Sequence, residues 1–205
     1  MTGAVNASDS FYVIFLGKGI ATTGLPVDAV GTANINANAI TTAKLHDDAV
    51  THAKLPSGSI LQAKQGTHTQ TTSGYNYPSG NDTWTDIPNI TVSITPSSTS
   101  SKILIMTNAI GYARNTVYVG FRLLRDSTVI YNQWTYIDDP SYWAQASCNI
   151  VHLDSPSTTS SITYKAQMWA DNNYGNLRML HSGGTFGSDN TSGSNGSIIT
   201  LEVAG

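Results

Sequence analysis

The 205-residue chain carries 13 acidic and 10 basic side chains, a net charge of −3 and only 11% charged residues, against a usual share of about a quarter. That balance excludes a basic field for nucleic acid or an anionic membrane. Cys148 is the only cysteine, which excludes an intrachain disulfide.

The length suits one ordinary domain with appendages. Runs such as Ser97 to Ser101 and Ser157 to Ser161 imply a surface solvated by hydroxyls and amides. Cys148 lies in the apolar stretch Ala146 to Val151 and reads as a small buried hydrophobe rather than a reactive thiol. A chain without disulfides fits assembly in a reducing cytoplasm.

Residues 1–25 hold one compact apolar run, Phe11-Tyr12-Val13-Ile14-Phe15-Leu16, closed by Gly17-Lys18-Gly19. The run is far shorter than the roughly 20 residues of a spanning helix. No basic segment precedes it, so it is not expected to be a signal peptide. Its β-branched and aromatic content predicts a strand. Two readings stay open: an attachment strand that joins a sheet of sister chains or of a receiving structure, through Phe11, Tyr12, Ile14 and Phe15, or a strand of the main domain.

Residues 26–58 form a ten-residue repeat. Pro26 to Ile35, Asn36 to Leu45 and His46 to Leu55 share Asp or Asn, Ala, Val or Ile, two mostly small polar residues, Ala, Lys or Asn, then Leu or Ile. A decayed fourth copy is expected at Pro56 to Gln65, keeping Ile60, Ala63 and Lys64. Ten residues advance a helix by about 1000°, leaving each unit turned by roughly 80° from the last. The apolar stripe would wind around such a helix, which excludes a heptad coiled coil. The pattern instead predicts a short extended piece plus one helical turn per unit, with Thr41 or Thr42 as its cap. Units this short need neighbours to cover their aliphatics. Three chains wound about an axis would bury Ile35, Ile40, Leu45, Val50 and Leu55 together. A flexible linker is the competing reading, but a linker has no reason to keep large aliphatics in register.

Residues 59–205 read as short strands divided by Gly, Pro, Asn and Ser clusters: Trp84 to Pro88, Ile90 to Thr95, Lys102 to Arg114, Val117 to Leu123, Ile162 to Met168 and Ile198 to Val203. A turn is expected at Pro88-Asn89, and Gly183 to Gly196 reads as the longest loop. The absence of a credible amphipathic helix predicts an all-β, jelly-roll-like sandwich.

Little in the chain supports catalysis. Glu202 is the sole glutamate, and the adjacent pairs Asp47-Asp48 and Asp138-Asp139 are neighbours in sequence rather than partners across a bond. The five histidines have no ligand spacing; His68 is expected at the surface. No catalytic residue, metal or cofactor is expected. Ligand contact is expected instead from Trp134, Tyr136, Asp138, Asp139, Tyr142 and Trp143 around a turn, and from Trp169 to Asn176, where Asn172, Asn173 and Tyr174 fall. Aromatic faces cover sugar C–H surfaces, and carboxylates accept from sugar hydroxyls. The alternative places most of these aromatics in the core or in a trimer interface and leaves Asp138, Asp139, Asn172 and Asn173 exposed.

Ala39-Ile40-Thr41-Thr42-Ala43-Lys44-Leu45, Ala49-Val50-Thr51-His52-Ala53-Lys54-Leu55, the junction Leu55 to Gln62, the stretch Ile94 to Ile105 and the ending Gly196 to Val203 together resemble the fibre and receptor-binding proteins of tailed bacteriophages, notably of marine cyanophage type. The resemblance implies a homotrimer with an N-terminal virion-attachment segment (1–25), a repeat stalk (26–58) and a β-sandwich knob (59–205) similar to the trimeric heads of the tumour-necrosis-factor and C1q group. It implies a non-enzymatic protein of the virion surface, assembled in the host cytoplasm, that adheres to a host-surface glycan or protein. Neither nucleic acid nor membrane insertion is implied. The alternative is a structural head or neck appendage that does not choose the host.

Overall fold

A computed structural model describes residues 29–47, 49–68, 75–76, 83–114, 117–138, 143–171, 177–180 and 195–205. The expected attachment strand, with Phe11, Tyr12, Ile14 and Phe15, lies outside the described residues, as does most of the expected Gly183 to Gly196 loop. The chain divides into two compact units, 1–49 and 50–205.

In the first unit, single 3-10 turns occupy Thr32–Asn34 and Thr42–Lys44; the second unit begins with another at His52–Lys54. Each turn is closed by its own main chain. Asn34, Lys44 and Lys54 N–H groups donate to the carbonyls of Gly31, Thr41 and Thr51, each at 2.9 Å. Thr41 does stand at the cap position, but its side chain makes no cap bond. The backbone bonds already close the turn, so the expected Thr cap is not used.

A second turn follows at the same ten-residue interval. Ala39 donates to Asn36, Ala49 to His46 and Ser59 to Pro56, at 3.0, 3.0 and 3.1 Å. Its third residue is left-handed in Asn38 (φ 63°) and Gly58 (φ 89°), the place where such turns favour Asn or Gly. The expected single helical turn per unit is present, and a second turn, not expected, occupies much of the piece read as extended. The fourth copy keeps only the turn at Pro56. From Ile60 the chain is a strand of the sandwich, so Ile60, Ala63 and Lys64 belong to the sheet.

The second unit is all-β. Its strands are β1 (Ile60–His68), β2 (Tyr75–Asn76), β3 (Thr85–Ile94), β4 (Lys102–Ala109), β5 (Gly111–Arg114), β6 (Val117–Arg125), β7 (Thr128–Ile137), β8 (Trp143–Gln145), β9 (Cys148–Asp154), β10 (Ile162–Ala170), β11 (Arg178–Met179) and β12 (Gly196–Val203). One sheet runs β1-β12-β4-β9 and the other β3-β10-β6-β7, with a small sheet β2-β11-β5-β8 beside them. This interleaved order makes the sandwich a jelly roll.

Alternation explains the layers. Ile162, Tyr164, Ala166 and Met168 all point into the core and join Ile103, Ile105, Ile150 and Ile198 of the facing sheet in one cluster. Cys148 is buried among them.

The expected turn at Pro88-Asn89 is instead an irregularity within β3. Lys165 pairs with Thr91 and Gln167 with Asp86, so extra residues of β3 bulge between two neighbouring pairs. Asn89 takes φ 61° there. The bulge lets both Ile87 and Ile90 reach the core. Likewise Lys102 to Arg114 is not one strand: the chain leaves β4 at Ala109 and joins the small sheet as β5.

Candidate functional site

The candidate site is the outward face of β3-β10-β6-β7. Because Val119, Phe121 and Leu123 of β6 point inward, Tyr118, Gly120 and Arg122 point outward. The register then sets rows across the sheet. Trp169, Gly120 and Trp134 form one row; Asp86, Gln167, Arg122 and Asn132 form the next. On the other side of the tryptophan row, Tyr118 pairs with Tyr136.

The tryptophan row is a cluster. Trp84, just before β3, places its ring 5.5 Å from that of Trp134 and 6.4 Å from that of Trp169; Trp134 and Trp169 are 5.2 Å apart and edge-on at 72°. Gly120 makes room for them. A Cβ there would stand 2.8 Å from both Trp134 and Trp84, so the rings cover bare backbone, as aromatics do over strand glycines. Tyr118 and Tyr136 lie 4.7 Å apart beside the cluster. Trp134 is 54% exposed and Tyr136 49%.

The polar row is held rigidly. Arg122 Nε donates to Gln167 Oε1 at 2.7 Å, and Gln167 Nε2 donates to Asp86 Oδ1 at 2.5 Å. Asp86 also pairs with Lys165 Nζ at 2.9 Å. The Arg122 guanidinium lies 4.3 Å from the Trp84 ring centroid, a cation–π contact. Burial lowers its pKa from the ordinary value, while the Asp86 carboxylate works the other way. Asp86 is thus ion-paired with Lys165 and linked to Arg122 only through the Gln167 amide.

Of the expected ligand residues, Trp134, Tyr136 and Asp138 are exposed on or just after β7. Asp139, Tyr142, Asn172, Asn173 and Tyr174 lie outside the described residues. The backbone of Trp143 belongs to β8 and pairs with Arg114 in the small sheet, away from the β7 ladder. Of the alternative that sent most aromatics into the core or a trimer interface, the core half does not hold for Trp134 and Tyr136, which are exposed on the single chain. Sequence reasoning missed Trp84, Gly120, Arg122 and Gln167, and held Trp169 apart from Trp134. The legible signal was the outward phase of Val117 to Leu123, which sets a glycine between a tyrosine and an arginine.

The opposite outer face, on β1-β12-β4-β9, is apolar. Ala63, Leu201, Leu104 and Leu153 form one row, and Gln65, Ile199, Met106 and Val151 the next. Val151 is 70% exposed and Leu153 50%.

His68 is buried rather than at the surface as expected. The end of β1 tucks its ring beside Asn89, whose Nδ2 is 3.3 Å from His68 Nδ1. Glu202 is also buried, and accepts from Ser97 N, Ser97 Oγ and Gln62 Nε2 at 2.7, 2.6 and 2.5 Å. Those bonds tie three chain segments together. Among the described residues, no three His, Cys, Asp or Glu side chains come together to hold a metal, and no helix is long and apolar enough to cross a membrane.

No protein-family model and no curated protein matches the chain. Solved structures with some likeness include infectious bursal disease virus, Gx strain, at 13% identity and TM-score 0.39, over 71% of this chain and 33% of that one. The VP2 subviral particle of infectious bursal disease virus matches at 13% identity and TM-score 0.33, over 72% and 34%. This chain therefore spans about a third of the length of those it matches. At this level of similarity nothing about those proteins' roles passes to this chain.

Proposed function

We propose that this chain is a homotrimeric, non-enzymatic fibre protein of the virion surface, of tailed-bacteriophage type, which adheres to a host-surface glycan or protein through its β-sandwich. The observation that carries the reading is the repeat. Ile35, Ile40, Leu45, Val50 and Leu55 are 36–57% exposed on the single chain. Yet the repeats' turns close on their own main chain. A backbone folded this regularly around uncovered aliphatics calls for sister copies to cover them.

The apolar outer face around Val151 and Leu153 is a second surface that association would cover. Three copies of the knob would also multiply weak contacts into avidity. The N-terminal segment would fix the fibre to the virion.

Light scattering tests the assembly: the expected mass is threefold that of the 21.8 kDa chain. A folded monomer at low concentration would overturn the reading. Adsorption competition tests the role. Purified protein is expected to block infection; a folded trimer without effect would leave a structural appendage that does not choose the host.

A further inference from the structure

Resting on that adhesin reading, we infer that the tryptophan terrace on β3-β10-β6-β7 binds an uncharged, pyranose-containing glycan. The site combines two things such a ligand needs. Half-exposed ring surface, from Trp134, Tyr118 and Tyr136, meets the C–H faces of a sugar. The neighbouring row offers the exposed Asn132 amide and Asp86 carboxylate and the half-buried Arg122 guanidinium to its hydroxyls, with Gln167 buried between them.

Rows on one face of a sheet are about 7 Å apart, two strand residues, which is close to the width of one sugar ring with its hydroxyls. A pyranose lying on Trp134 therefore brings its rim to Asn132 and Arg122. Both rows are pre-set: Gly120 seats the rings, and Gln167 is held at both ends of its amide. Little ordering remains for the ligand to drive.

Charge decides among ligand classes. Lys165 is paired with Asp86, and Arg122 is held by Trp84 and Gln167. A polyanion would have to compete with Asp86 for Lys165, whereas an uncharged ligand leaves that pair intact. A purely apolar partner would strip water from the polar row without replacing its hydrogen bonds. An uncharged polyol satisfies both rows.

The test uses the full chain on an immobilised panel, with glucans, mannans and galactans as the neutral set and heparin and polygalacturonate as the anionic set. Capture by at least one neutral glycan is expected, with tryptophan emission shifting on titration. Binding is expected to persist at about 1 M salt, where exposed charges are screened within about 3 Å. W134A and Y136A are each expected to weaken it by about tenfold or more.

The inference is overturned if no neutral glycan is captured, if only the anionic set binds, or if both variants bind as the unaltered chain does. It is also overturned if W134A lowers the mass in solution, because the terrace would then be a contact between copies. Adsorption competition separates this from the adhesin reading. Unaltered protein and W134A that compete equally well sink the terrace alone. Unaltered protein that binds a neutral glycan without competing sinks the adhesin and keeps the terrace.

Discussion

The phenol of Tyr164 on β10 donates to Oδ2 of Asp154 on β9 at 2.7 Å, joining the two sheets of the sandwich through a side-chain bond. Arg125 of β6 completes the contact, with Nη1 at 2.9 and 2.8 Å from the two carboxylate oxygens. Burial, followed by the Asp154 bond, holds the Tyr164 phenol well above its ordinary pKa. Tyr164→Phe removes one bond and leaves Asp154 paired with Arg125, for a loss of about 1 kcal/mol. Asp154→Ala strands both partners and is expected to cost about 3 kcal/mol. Urea unfolding of the two variants checks the order.

Gly120→Ala presses a methyl group against Trp134 and Trp84, each 2.8 Å away. The rigid rings must lift, so the expected cost is about 1–3 kcal/mol. Tryptophan emission is expected to shift to longer wavelength even in the folded protein. An unchanged spectrum at unchanged stability would mean that the rings do not rest on this strand.

Glu202 sets an acid limit. Burial pushes its carboxyl up, but the bonds from Ser97 and Gln62 outweigh this and hold it below the ordinary value. A carboxyl with a lowered folded pKa stabilises the fold above the unfolded value, about 4.3, and loses that contribution as pH falls through the folded one. Glu202→Gln is expected to lower stability by about 1–2 kcal/mol at neutral pH. It should also flatten the decline below about pH 4.5 in denaturation measured against pH.

Cys148 tests the core. Burial pushes its thiol up to about 11, with the Thr107 hydroxyl opposing. Only the thiolate reacts at a useful rate. Labelling at pH 8 is therefore expected to track unfolding as urea rises. Rapid labelling of the native protein would place β9 outside the packed core.

Ile162 to Met168 was legible because its apolar residues recur at every second position and all face the core. Ile198 to Val203 was legible as a strand, but its inward face was not, since it buries Thr200 and Glu202 and turns Ile199 and Leu201 outward. Pro88-Asn89 misled because a proline and a left-handed asparagine serve a bulge as well as a turn. Trp134 was grouped with Tyr142 and Trp143 because they are near in sequence. The strand pairing instead brings Trp134 to Trp84 and Trp169, which no local pattern could foretell. Chain neighbours part at Ile137, where β7 ends, while distant tryptophans meet through β10 and β6. In the repeat, one period governs both chemistry and backbone, so its turns could be read directly.

That self-closing decapeptide has a further consequence. Because Asn38 and Gly58 occupy equivalent places two units apart, gaining or losing one whole unit leaves every remaining turn with its own closing bond. A change that is not a whole unit takes the left-handed position away from Asn38 or Gly58, and at most other places in the repeat it then falls on an alanine, threonine or branched residue that resists it. Reach can therefore evolve by duplication in whole modules, while the domain beyond Ile60 keeps its sequence.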